Sequence, residues 1–135
     1  MSLDAIPIHV VPAEAGLSGN APPLMRELAD QLRRLLDADE ASAIDLSALP
    51  LTPADLDWLR AQLGEGEIVA SLAANGETTL AETGYPGVWW VTHRNEQGAV
   101  IAQLLEVAFV PELIRAQAED VRFGHERLVL QVNHS

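Results

Sequence analysis

Val88-Trp89-Trp90-Val91-Thr92-His93-Arg94, followed by Asn95-Glu96-Gln97-Gly98 and the apolar run Ala99 to Phe109, is the stretch that decides the fold. Two apolar segments flank a polar, glycine-ended turn, the pattern of a β-hairpin with glycine available for a bulge. Successive side chains of a strand point to opposite faces, so the adjacent indoles of Trp89 and Trp90 cannot enter one core layer. One is expected to pack against helices. The other lies on the opposite face, under a second layer or partly exposed, and an exposed tryptophan there is a candidate interface anchor.

Upstream, Ile68 to Ala73 and Thr78 to Thr83 flank Asn75-Gly76, a strong hairpin-turn signal, and Tyr85-Pro86-Gly87 joins the two hairpins. The reading is a four-stranded antiparallel meander between residues 66 and 110. Leu24, Leu28, Leu32 and Leu35 or Leu36 recur at helical spacing after Pro22-Pro23, predicting a helix over 22–38 capped by Asn20. Asp37-Ala38-Asp39-Glu40 ends it as a solvated run. Ala43 to Leu46 reads as a short strand or an extended link. Thr52-Pro53-Ala54-Asp55 opens a second helix over 53–63, with Leu56, Leu59 and Leu63 on one face, Trp58 beside it and Gly64 as its stop. Pro111 marks a last helix with Leu113, Ile114, Val121 and Leu128 on its buried side. The fold class is α+β, the meander flanked by N-terminal and C-terminal helices. Residues 1–20 read as an extended arm able to dock Ile6, Ile8 and Val10, and residues 21–135 as a single α+β domain.

The 135 residues hold twenty acids against eight basic residues, all arginine, for a net charge of −12. That field disfavours nucleic acid and anionic membranes and favours a basic partner. The absence of cysteine removes disulfides, thiolate metal sites and cysteine nucleophiles. No apolar run reaches the length of a membrane span and the N-terminus lacks the basic start of a signal peptide, so a cytoplasmic protein is expected.

Catalytic motifs fail one by one. His125-Glu126-Arg127-Leu128-Val129 begins like a zinc-protease helix, but the second histidine is a valine. His9, His93 and His134 stand apart from it and from each other. Gly64-Glu65-Gly66 follows a helix and leads into a strand, the reverse of a dinucleotide fingerprint. Asp55 and Asp57 are explained by the helix N-terminus, and the acids at 37–40 lack the turn of a calcium loop. No metal or other cofactor is expected. Glu106 stands out, inside the most apolar strand, on a face with Val100, Ala102, Leu104, Ala108 and Val110. A carboxylate there faces solvent, takes an arginine partner, or serves a binding surface.

Leu51-Thr52-Pro53-Ala54-Asp55, Leu63-Gly64-Glu65-Gly66, Pro86 to Val91, Leu105-Glu106-Val107 and Val110-Pro111-Glu112 occur in that order. Across about residues 50–122 the series resembles the shared domain of HupH/HyaF-type hydrogenase expression proteins. The resemblance implies a cytoplasmic, chaperone-like accessory factor, not an enzyme, in maturation of an uptake [NiFe] hydrogenase. It implies as partner the iron–sulfur small-subunit precursor, whose leader carries twin arginines, with other maturation factors besides. Two departures stand out. Longer members carry two related domains where this chain has room for one, and many carry a cysteine about where Thr78 stands.

Trp89, Trp90 and Glu106 are the candidate partner-binding residues. The alternatives are an acidic interaction module of another pathway and a small enzyme using Glu106 with His93 or His125. The oligomeric state is left open.

Overall fold

A computed structural model describes residues 16–134 of the chain, so the docking expected of Ile6, Ile8 and Val10 lies outside the described residues. Helix α1, Pro22–Ala38, turns its leucine stripe inward and buries Leu28 and Leu35. It ends at Asp39 in a left-handed backbone conformation (φ 56), with Asp39 N donating to the Leu35 carbonyl and Glu40 N to that of Arg34. Asn20 is not the cap: Ala21 holds that position without a side-chain bond, and the Asn20 amide donates to the Pro50 carbonyl at 2.9 Å. The prolines in the first turn carry no N–H, which leaves a capping side chain little to satisfy.

Ser42–Asp45 forms strand β1, followed by a 3₁₀ turn, Leu46–Ala48, that Asp45 caps. Helix α2, Pro53–Leu63, opens on a full capping box: Thr52 Oγ1 accepts from Asp55 N, and the Asp55 carboxylate accepts from Thr52 N. Strands β2 (Val69–Ala73), β3 (Glu77–Glu82), β4 (Val88–Arg94) and β5 (Val100–Val107) form the expected antiparallel meander. In the first hairpin Asn75 and Gly76 both take positive φ, 52° and 118°, the handedness that suits the twist of the flanking strands. In the second, the ladder shifts register between His93 and Arg94, near the turn that Gly98 completes.

The sheet has five strands, not four, in the order β1-β5-β4-β3-β2. The segment that reads as strand or link pairs antiparallel with β5, Ile44 opposite Leu105. Its alternation places Ile44 inward while Ala43 and Asp45 stay exposed, which four residues show too briefly to decide from sequence.

Each face of the sheet has its own core. Helices α1 and α2 close the first, where Leu28, Leu35, Leu59, Leu63, Trp90 and Leu105 pack together. The second is smaller: Leu80, Trp89 and Val91 are buried, with Ala70, Leu72, Leu104 and Ile114 against them. The last helix departs from expectation. Pro111 leads only a single 3₁₀ turn, Glu112–Ile114; Arg115 is extended, and α3 runs from Ala118 to Asn133. Ile114 alone of the expected buried set packs inward, while Leu113, Val121 and Leu128 are exposed. Acids at 119 and 120 favour a helix start at 118, beyond the reach of Pro111.

Asp55 ties the entry segment to this frame. It is 1 % exposed, and its carboxylate accepts from the Ser18 hydroxyl (2.6 Å), Ser18 N (3.0 Å) and Thr52 N (2.9 Å). The Ser18 hydroxyl bond first, then the backbone bonds from Thr52 and Ser18, hold its pKa down to about 2 against the opposing effect of burial. A depressed carboxylate stabilises the fold fully above its unfolded pKa near 3.8 and loses that contribution as pH falls through about 2. Acid titration of the urea midpoint should therefore show a limb between about pH 4 and 2 that Asp55→Asn flattens. An unchanged limb in the variant would place the acid sensitivity elsewhere.

Candidate functional site

The central strand β4 is buried from Val88 through Thr92, so both tryptophans are interior. Each is 4 % exposed, one in each core, and each satisfies its indole N–H inside the protein. Trp89 donates to the Ala108 carbonyl at 3.1 Å, and Trp90 to Gln103 Oε1 at 2.9 Å. The outward indole is thus not a surface anchor. The β3 neighbour, the strand end at Ala108 and the turn carrying Ile114 close over it, because the chain after β5 folds back onto that face.

Glu106 lies directly across the ladder from Trp89 on one side and Ala43 on the other. The register therefore brings Glu106 and Trp89 together and leaves Trp90 on the opposite face. Glu106 is half-buried; its Oε2 accepts from Glu112 N at 3.2 Å. It forms part of a groove of about 430 Å³ between the end of α1 and the segment after β5, with Asp39, Phe109, Val110, Glu112 and Arg115 also lining it. Phe109 is 60 % and Val110 51 % exposed, although Ala108 beside them is buried. The Trp89 N–H holds the Ala108 carbonyl, and Phe109 and Val110 follow it directly in the chain. Sequence alone offered the apolar run ending at Phe109 but no sign that its last two residues leave the core.

A second polar cluster was not foreseen. The Arg60 guanidinium lies 4.1 Å from the centre of the Trp90 ring and donates to Gln103 Oε1 at 3.0 Å. Desolvation lowers the guanidinium pKa from its ordinary value, opposed by the charge of Asp57. Arg60, Trp90 and Gln103 come from α2, β4 and β5, so no local spacing announces them. Arg60 and Trp90 border a cavity of about 300 Å³ shared with Glu65, Val69 and Glu82.

The enzyme reading requires a histidine in reach of Glu106. None of the described histidines lines the groove of Glu106: His93 Nδ1 shares a 2.7 Å bond with Thr78 Oγ1, and His125 lies on α3. Among the described residues no three His, Asp or Glu side chains converge as a metal site does. Nor is any described helix long and apolar enough to cross a membrane.

Residues 19–133 match the family described as HupH hydrogenase expression protein, C-terminal conserved region. The chain belongs to that family. It is similar to the hydrogenase expression/formation protein HoxQ of Azotobacter vinelandii, 35 % identical over 111 residues, covering 81 % of this chain and 39 % of that protein. It is also similar to the hydrogenase expression/formation protein HupH of Rhizobium leguminosarum bv. viciae, 33 % identical over 117 residues, covering 87 % of this chain and 41 % of that one. The chain thus spans about two fifths of the length of these curated relatives. Among solved structures, the hydrogenase expression protein HupH from Thiobacillus denitrificans ATCC 25259 superposes with a TM-score of 0.82 at 56 % identity, over 88 % of this chain and 99 % of that one.

Gln103 is the hinge of the Arg60–Trp90 cluster, since one oxygen accepts from both. Gln103→Leu leaves two donors without their acceptor and should cost about 1–2 kcal/mol, read as a lowered urea midpoint. A variant unfolding at the wild-type midpoint would mean that water serves both donors equally well.

Proposed function

We propose that the chain is an accessory, chaperone-like protein of hydrogenase expression and maturation, acting in the cytoplasm by binding and without catalytic turnover. Its partner in this reading is the iron–sulfur small-subunit precursor of an uptake [NiFe] hydrogenase, held before export, with other maturation factors as further contacts. Family membership supports the pathway. The observation that carries the manner of binding is the groove beside Glu106, where exposed Phe109 and Val110 stand next to the carboxylates of Asp39, Glu106 and Glu112.

That pairing of chemistries suits a segment that is apolar and basic at once. Phe109 and Val110 gain by leaving water, and a rigid aromatic loses little side-chain freedom on docking. The carboxylates meet arginines at the rim, with Arg115 the one opposing charge. A protein of net charge −12 draws a twin-arginine leader over roughly a Debye length, so the attraction acts on the rate of encounter. Trp89 keeps the anchors projecting, and Glu106 supplies charge without needing to move.

The test is a titration of purified protein with the precursor and with a version lacking its leader, at low and high salt. Intact precursor should bind more weakly as salt rises, and Phe109→Asp should weaken binding at least about tenfold, roughly 1.4 kcal/mol. Far-ultraviolet circular dichroism should stay unchanged, because the side chain is exposed. No association with either form would overturn the chaperone reading. Equal, salt-independent binding of both forms would overturn the leader mechanism alone.

A further inference from the structure

Helix α3 lies exposed along its whole length among the described residues. Every residue from Ala118 to His134 is exposed, including Val121 (58 %), Leu128 (63 %) and Val132 (61 %). These three share one side of the helix at spacings of seven and four. Gly124 lies beside them, one turn from both Val121 and Leu128. A glycine inside a helix costs about 1 kcal/mol relative to alanine. Here nothing lies within 4 Å of where its Cβ would stand, so no contact within the described chain requires it. Its missing Cβ leaves room there for close approach of another helix backbone.

We infer that the Val121–Leu128–Val132 side of α3 is a self-association surface that pairs antiparallel with α3 of a second copy, crossing at Gly124. Three properties single out a second copy as the occupant. The first is apolar self-complementarity. An axis of twofold symmetry beside Gly124 sets Val121 of each copy against Leu128 of the other, the arrangement an isologous contact requires.

The second is charge. Asp120 and Arg127 lie on the same flank of the stripe, seven residues apart. Antiparallel pairing about Gly124 sets Asp120 of each copy opposite the stretch that holds Arg127 of the other. It also opposes the two helix dipoles.

The third is the field of the rest of the molecule. Residues 111–135 hold four acids and three arginines, against a whole-chain charge of −12. This end is therefore one where two copies meet with little repulsion. Phe123 and Leu130 project from the opposite side of the helix and take no part in the pairing.

Sedimentation equilibrium of the full chain between about 1 and 100 µM tests the surface. The wild type should show a monomer–dimer equilibrium within that range. Leu128→Glu should weaken it at least about tenfold with the circular dichroism unchanged, since the side chain is exposed. Phe123→Ser, on the far side, should leave it within about twofold. Asp120→Arg should weaken association, and adding Arg127→Asp to it should restore association, which a merely structural role of either residue would not produce. A wild type monomeric at about 100 µM would overturn the surface. So would Phe123→Ser dissociating the dimer as strongly as Leu128→Glu. Failure of the double charge reversal to recover association would overturn the antiparallel register.

Discussion

A sheet whose central strand carries two adjacent tryptophans must be covered on both faces. Alternation leaves no other solution: whichever face receives Trp90, the other receives Trp89, and each indole brings an N–H that has to be satisfied out of water. The rest of the architecture answers these two demands. On one face α1 and α2 close over Trp90, and Gln103 across the ladder takes its proton. On the other no described helix closes over Trp89, and the chain beyond β5 turns back so that the Ala108 carbonyl accepts from the Trp89 N–H and Ile114 packs against its surroundings.

The two coverings differ in kind, and the difference sorts the molecule into a scaffold and a working surface. Two helices, α2 opened by its capping box and tied by the buried Asp55 carboxylate to Ser18 ahead of α1, make the Trp90 side deep. A turn and a strand end make the Trp89 side thin. Thin cover leaves apolar groups projecting at its border, which is where Phe109, Val110 and Leu113 stand exposed. Binding residues gain precision from a rigid support, and in the proposed reading Trp89 provides it without reaching the surface.

Legibility followed sequence distance. The meander, α1 and α2 were readable because each depends on alternation, helical spacing or a turn within about ten residues. β1 was ambiguous because four residues cannot establish a period, and only the pairing of Ile44 with Leu105 decides it. The start of α3 was misplaced because Pro111 suits a 3₁₀ turn as well as a helix, and acids eight and nine residues later mark the true beginning. At the site, Glu106 was recognisable as a charge out of keeping with its strand. Its partner in the groove, the Phe109–Val110 pair, looked like core because a run of apolar residues does not show where the strand ends. The Arg60–Trp90–Gln103 cluster and the Ser18–Asp55 bonds join residues too far apart for any local pattern to reveal.

In the proposed reading, the acidic surface and the apolar border act on different stages of recognition. Charge spread over the molecule attracts a basic segment from a distance but selects weakly among basic segments, since each one sees nearly the same field. Selection falls to the short-range groups: an apolar pair held at a fixed spacing, with carboxylates at 39, 106 and 112 set around it. A basic segment without apolar residues meets the carboxylates but leaves Phe109 and Val110 in water. An apolar segment without basic residues leaves three carboxylates stripped of solvent and unpaired, a cost that exceeds what two side chains return. Only a segment carrying both satisfies the groove. The same reasoning separates the groove from α3, whose border is nearly neutral and therefore excludes strongly charged partners of neither sign by long-range force, leaving fit at the apolar stripe to decide what docks there.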